Sequence, residues 1–146
     1  MRAIESQWWI LELPEEWQAQ QEDDAIVIGD LDGVGEIVIS TLQKQAGDVS
    51  DGELREYTRE LTPSAGAGKP IEVSDARGYY FSFQEGDEAL REWYLRCDDL
   101  LLLVTYCCDI DNAGMDDGAV DEILSTLYIK SAEERENLPA EPGSIH

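Results

Sequence analysis

The run Leu100 to Cys108, "LLLLVTYCC", constrains this chain more than any other stretch: it carries no charge and is set between Asp98-Asp99 and Asp109. Successive side chains of an extended strand point to opposite faces, so a run that is apolar on both faces needs cover on both. It therefore reads as the most buried strand of a sheet. A helix crossing a bilayer needs about 20 predominantly apolar residues, and the run falls well short of that.

The flanking segments supply strands to pair with it. "GYYFSFQE" (Gly78–Glu85) alternates, with Tyr79, Phe81 and Phe83 on one side and Tyr80, Ser82 and Gln84 on the other. "EGDE" turns the chain into Ala89–Cys97, and Asp98-Asp99 turns it again, which predicts a three-strand antiparallel meander. Earlier, Ala25–Asp30 and Glu36–Leu42 flank "LDGVG", whose Asp32-Gly33 has hairpin-turn chemistry. "IEVSD" is a further short strand. Gln7–Leu13 puts Trp8 and Ile10 on one face and Trp9, Leu11 and Leu13 on the other, which predicts a strand inside a sheet covered on both sides, ended by Pro14.

Two segments have helical period. Ser50 stands at capping-box spacing before Glu53, and Leu54, Tyr57 and Leu61 follow, so a helix is expected over Asp51–Leu61. Pro63 and "AGAG" close it, and "TPSAGAGK" reads as a loop. Val120, Ile123, Leu124 and Leu127 form one stripe of a helix from Asp117 to Tyr128, covering a sheet face, with Asp116 and Asp117 at the end where the helix dipole favours negative charge. The polar, proline-containing residues 131–146 read as a solvated tail. At 146 residues the chain suits one domain, here residues 1–130.

Charge limits the partners. There are 33 acidic and 10 basic residues, a net charge of −23 at pH 7. With 42% hydrophobic residues the chain is not of a disordered type. Such a surface repels phosphate, which argues against direct nucleic-acid binding and against docking on anionic membranes, and it attracts basic proteins. Only Lys44, Lys69 and Lys130 are lysines, and an acid-rich, lysine-poor surface is also what salt adaptation produces. Glu5 and Glu12 fall where a secretory signal would be apolar, and there is no small-residue cleavage site, so the mature chain is expected to begin at Met1. The odd count of Cys97, Cys107 and Cys108 fits a reduced, cytoplasmic protein.

The candidate sites are few. Measured against a calcium loop that starts at Asp109, Asp111 and Asp117 occupy ligand positions and Gly114 the glycine position. Ala113 and Val120 then stand where two ligands belong, one of them the bidentate one, so no metal is expected. Cys107 and Cys108 have no C-x-x-C partner, and the one histidine is His146. Alternation sends them to opposite faces, neighbouring acids raise a thiol pKa, and a structural role follows. The pairs Asp30/Asp32 and Asp98/Asp99 sit in turns that favour aspartate for backbone reasons. No G-x-S-x-G motif is present, and neither "GVGE" nor "GAGK" fits a nucleotide motif, so neither a catalytic set nor a cofactor is expected. The aromatics at strand spacing belong to the core. Trp17, in a polar stretch, either caps the sheet edge or anchors a partner. The partner-binding candidates are thus Trp17, Asp109, Asp111, Asp116 and Asp117.

Leu11, Pro14 and Trp17, the buried strand Leu100–Tyr106 and the closing helix Val120–Leu127 together resemble the opening strand, proline, tryptophan and closing elements of the PsbP-like fold family. The resemblance spans about residues 7 to 129 and rests on layout. It implies an α/β/α sandwich with a central antiparallel sheet. With the elements above, this is an α+β single domain whose sheet has about six or seven strands flanked by two main helices. Members of that family are mostly adaptors, extrinsic subunits, chaperones or immunity-type proteins. The expectation is therefore a non-enzymatic binding or adaptor protein that engages a basic protein partner, of immunity-protein or effector-chaperone type. Alternatives are a small-ligand or calcium-binding domain, and a nucleic-acid mimic that inhibits another protein.

Overall fold

The computed structural model describes residues 2–61 and 68–136. Its strands are β1 (Arg2–Glu5), β2 (Trp9–Leu13), β3 (Trp17–Glu22), β4 (Ala25–Asp30), β5 (Gly35–Gln43), β6 (Lys69–Val73), β7 (Ala76–Glu85), β8 (Glu88–Cys97), β9 (Leu100–Asp109) and β10 (Tyr128–Ile129). Its helices are α1 (Asp51–Leu61), α2 (Asp117–Ser125) and α3 (Ala132–Glu136). Among the described residues these form a seven-stranded antiparallel sheet in the order β3-β4-β5-β9-β8-β7-β6 and a three-stranded sheet in the order β1-β2-β10. This is the expected α+β domain, with a small second sheet added.

The uncharged run lies at the centre of the large sheet, between β5 and β8. Its even-numbered residues Leu100, Leu102, Val104, Tyr106 and Cys108 face the larger core, together with Ile28, Ile37, Ile39, Trp93 and Leu95. The small sheet and α2 cover that side, contributing Trp9, Leu11, Leu13, Val120, Ile123 and Leu124. Fully burying a leucine such as Leu100 or Leu102 is worth about 1.5–3 kcal/mol relative to leaving it exposed. Leu101 and Leu103 face the other way, toward Val49, Leu54, Phe81 and Tyr94 under α1. Both faces of β9 are thus covered by different layers.

The sheet-facing side of α1 rests on Leu54, which has no exposed surface, whereas Tyr57 is exposed rather than part of an apolar stripe. The capping box forms as its spacing predicts. Ser50 Oγ accepts from the Glu53 amide at 3.1 Å, and Glu53 Oε1 accepts from the Ser50 amide at 3.0 Å. A hydrogen bond from Lys44, then that of the Ser50 amide, hold the Glu53 carboxyl down at about 2. The stabilisation from these bonds is therefore complete above the ordinary carboxylate range and is lost as pH falls toward 2.

Several expectations are corrected. Residues 7–13 do supply an inner strand, β2, but of the small sheet and covered fully on one face only: Trp9, Leu11 and Leu13 are buried, whereas Ile10 is half-buried and Glu12 is exposed. Trp9 Nε1 donates to Thr41 Oγ1 at 3.2 Å, tying the two sheets together. The closing helix stops at Ser125, and Tyr128 pairs with Ile10 as the start of β10. Residues 131–134 are exposed, as expected of a solvated segment, but Ala132–Glu136 form the short helix α3. Ser131 and Glu134 make a second capping box, and Arg135 reaches back to Asp99 at 3.0 Å, its guanidinium 5.6 Å from the Trp8 ring centroid. Of the expected loop at 62–69, residues 62–67 lie outside the described residues and Lys69 opens β6; the remainder of the tail also lies outside them.

Candidate functional site

Strand register decides where the acids go. Trp17 pairs with Asp30, Gly35 with Cys108, Glu88 with Asp109 and Glu85 with Glu88, so β3, β4, β5, β7, β8 and β9 all start or finish at one end of the large sheet. That end collects Asp30 and Asp32 from the β4–β5 turn, Glu36 from β5, and Glu85, Asp87 and Glu88 from the β7–β8 hairpin. Asp109, Asp111, Asp116 and Asp117 join them from the segment leading into α2. Most of these carboxylates are exposed; Asp30, Asp116 and Asp117 are partly covered. Among the described residues the cations at this end are Arg2, which donates to the Trp17 carbonyl, and Arg91.

Arg91 is already engaged. Its Nη2 donates to Asp121 Oδ1 at 2.7 Å and its Nε to Tyr80 Oη at 2.7 Å, while Asp117 Oδ1 stands 3.5 Å from Nη1. The guanidinium lies 4.7 Å from the Trp93 ring centroid and 5.3 Å from that of Tyr80. Stacking and paired carboxylates of this kind hold a planar cation firmly. Its charge is therefore spent locally, and the surrounding acids remain uncompensated.

Tyr106 joins the two loops of this end. Its hydroxyl donates to Asp116 Oδ2 at 2.6 Å, and a Cβ at Gly35 would clash with the Tyr106 hydroxyl oxygen, so the phenol passes directly over the Gly35 backbone. Burial first, and then the Asp116 carboxylate, push the Tyr106 phenol well above its ordinary pKa. The phenol thus stays a donor at any physiological pH. Beside it, between the β7–β8 hairpin and the 110–117 segment, opens a cleft of about 620 Å³. Ala89, Leu90, Cys108, Ile110 and Ala113 give it an apolar wall, and Ser82, Gln84, Arg91 and Asp117 give it polar groups.

The individual candidates fall as follows. Asp109 accepts from the Asp111 amide at 3.0 Å and caps the short 3-10 turn at Ile110–Asn112; Asp116 holds Tyr106; Asp117 faces Arg91. Among the described residues no three acids, cysteines or histidines are grouped as a metal-ligand set, so Asp109, Asp111 and Asp117 stay separate as ligands. Trp17 is 4% exposed and lies in the larger core at the start of the edge strand β3, so of its two expected roles the side chain takes that of sheet cap and offers little surface to a partner. Nothing in the sequence around Glu36, Glu85, Asp87 or Glu88 marks them as site residues, since only register brings them to the aspartate segment.

Cys108 is buried in the core, and Cys107 on the opposite face donates to Glu88 Oε2 at 2.5 Å. Burial, then the Glu88 carboxylate, push the Cys107 thiol up to about 12. At pH 8 its thiolate fraction is then about 1 in 10⁴. A maleimide should accordingly label Cys107 far more slowly than an ordinary cysteine, and Glu88→Gln should speed the reaction. Equal rates in the two proteins, read by mass spectrometry, would show that the Glu88 carboxylate does not keep the thiol protonated.

No family model matches the chain, and no curated protein matches its sequence. Solved structures do match. A protein from Bacteroides thetaiotaomicron VPI-5482 superposes with a TM-score of 0.69 at 14% identity, over 89% of this chain and 48% of that one. The present chain thus spans about half of that protein's length. LpqN of Mycobacterium tuberculosis, described as involved in cell envelope biogenesis, gives a TM-score of 0.58 at 16% identity over 84% and 83% of the two chains. These likenesses show the fold alone. The expected likeness to PsbP is also among the matches: the cyanobacterial protein CyanoP from Synechocystis sp. PCC 6803 gives a TM-score of 0.41 at 10% identity over 87% and 91% of the chains. No helix among the described residues is long and apolar enough to cross a membrane.

Proposed function

We propose that this is a non-enzymatic adaptor of the cytoplasm that engages a basic protein partner, in the manner of an immunity protein or an effector chaperone, through the acidic end of its large sheet. The observation that carries the reading is the convergence of carboxylates from the β4–β5 turn, the β7–β8 hairpin and the 109–117 segment, with Arg91 already paired. A concentrated field of one sign raises encounter rates with an oppositely charged partner and orients its approach. The opposite end is acidic too, with Asp23, Asp24, Asp75, Asp98 and Asp99 in the β3–β4, β6–β7 and β8–β9 turns, but there Arg135 pairs with Asp99 and Lys44 with Glu53.

The test is a binding titration with a lysine-rich peptide against two charge-reversed proteins. One carries Asp32→Lys, Asp87→Lys and Asp111→Lys at the acidic end; the other carries Glu56→Lys, Glu60→Lys and Glu72→Lys on α1 and β6. The first should lose about tenfold or more in affinity and the second little, and binding should vanish near 1 M salt, where the screening length is about 3 Å. Equal loss in both variants would mean that total charge acts rather than this end, and would sink the reading. The cleft favours a second reading, a small-ligand domain, because its volume falls in the range of about 300–1,000 Å³ usual for ligand sites.

A further inference from the structure

The two most exposed large apolar side chains among the described residues stand among these carboxylates. Leu31, 68% exposed, sits in the β4–β5 turn between Asp30 and Asp32; Met115, 66% exposed, directly precedes Asp116 and Asp117. The turn itself gives no reason for a leucine. Its backbone demands are met by Gly33 at φ 69° and by Asp30, whose carboxylate accepts from the Val34 amide at 3.4 Å. The 110–117 segment before α2 likewise turns at Gly114, φ 88°, and leaves Met115 66% exposed.

The two loops are also fixed relative to each other. The Tyr106 phenol, buried against Gly35, holds Asp116 at 2.6 Å, so the turn that carries Leu31 and the segment that carries Met115 share one rigid side chain beneath them. Two apolar contacts held over a common support and rimmed by charge have the anatomy of an interface core and its polar rim. Methionine in particular adapts its shape to varied apolar partners.

We propose that the acidic end recognises a cationic amphipathic segment of a partner protein, with Leu31 and Met115 meeting its apolar side and the carboxylates around them meeting its lysines and arginines. This rests on the reading of the acidic end as a partner surface and names what that surface reads: the pattern of apolar and basic residues, beyond charge. Charge complementarity selects this occupant. A second copy would bring another chain of charge −23 against the same carboxylates, and an anionic or purely apolar segment would leave them facing nothing.

Two synthetic peptides of identical lysine and leucine composition separate the possibilities, one with leucines at helical spacing and one with the same residues scrambled. Fluorescence anisotropy at low salt should give the amphipathic peptide an affinity about tenfold or more above the scrambled one. The double variant Leu31→Ser/Met115→Ser should bring it down to the scrambled level while leaving the scrambled peptide's own affinity unchanged. Because both side chains are exposed, the variant should keep its melting temperature, which is read in parallel. Equal affinity for the two peptides, or an advantage that survives in the double variant, would overturn the inference while leaving the electrostatic reading in place. No binding of either peptide would overturn both.

Discussion

Gly78→Ala is expected to remove most or all of the domain's stability. A Cβ at this position would lie 1.7 Å from the Tyr94 carbonyl oxygen and 2.8 Å from its carbon, which are backbone atoms of the neighbouring strand, and 3.0 Å from Leu54 Cδ2. Gly78 pairs with Leu95 in the β7–β8 ladder, so relief requires either the two strands to part or the strand and α1 to move together. Neither is local, since Leu54 is the fully buried contact of α1 with the sheet. A loss of about 4–5 kcal/mol or more is expected, against about 5–15 kcal/mol for a typical whole domain. Gly86→Ala supplies the comparison: its φ is 61° but nothing lies within 4 Å of its Cβ, so it should cost only the left-handed backbone penalty of about 1–2 kcal/mol. Urea titration of both proteins reads the difference. If Gly78→Ala proved no worse than Gly86→Ala, the close spacing of β7 and β8 would have to relax freely, contrary to this account.

That position shows where sequence reading stops. The meander of β7, β8 and β9, the β4–β5 hairpin and the capped start of α1 are legible because each is announced by local chemistry: alternation, a turn pair, a capping box. The crowding at Gly78 is created by a residue sixteen positions away in the chain and has no local sign. β3 was hidden for a different reason. As an edge strand it buries only Trp17 fully and Ala19 partly, so "WQAQQE" has no apolar alternation to read, and Trp17 looked isolated when it is a core residue. β10 spans two residues, shorter than any period, and it exists because Ile10 and Trp9 offer it an edge.

The candidate site was half visible on the same grounds. Asp109, Asp111, Asp116 and Asp117 are neighbours in sequence and could be seen as a group. Asp32, Glu36, Asp87 and Glu88 lie far away along the chain, and they join the group only because an antiparallel sheet brings alternate turns to the same end. Leu31 and Met115 were invisible as contacts, since an apolar residue in a turn can be known as exposed only when the turn's surroundings are known.

Lys130→Ala should be the second most damaging single change, for electrostatic rather than steric reasons. Lys130 is 4% exposed; its Nζ forms an ion pair with Glu5 and donates to the Ser6 carbonyl at 2.8 Å, while its amide donates to the Trp8 carbonyl at 2.9 Å. It fastens the β1–β2 turn to the end of β10, so the small sheet that covers the core depends on it from both directions. Removing one partner of a buried pair costs about 3–5 kcal/mol, and because the Glu5 side chain is 34% exposed and regains water, about 2–4 kcal/mol is expected here. Part of that is the Ser6 carbonyl left without its donor, which the alanine leaves in place whatever happens to Glu5. The double variant Lys130→Met/Glu5→Gln keeps volume and removes both charges, so it should cost clearly less than Lys130→Ala. Denaturation midpoints of wild type, Lys130→Met, Glu5→Gln and the double give the coupling energy. If Lys130→Ala and the double variant lost the same amount, neither the aliphatic stem nor the uncompensated Glu5 charge would matter, and the whole loss would trace to the Nζ–Ser6 hydrogen bond that both variants remove.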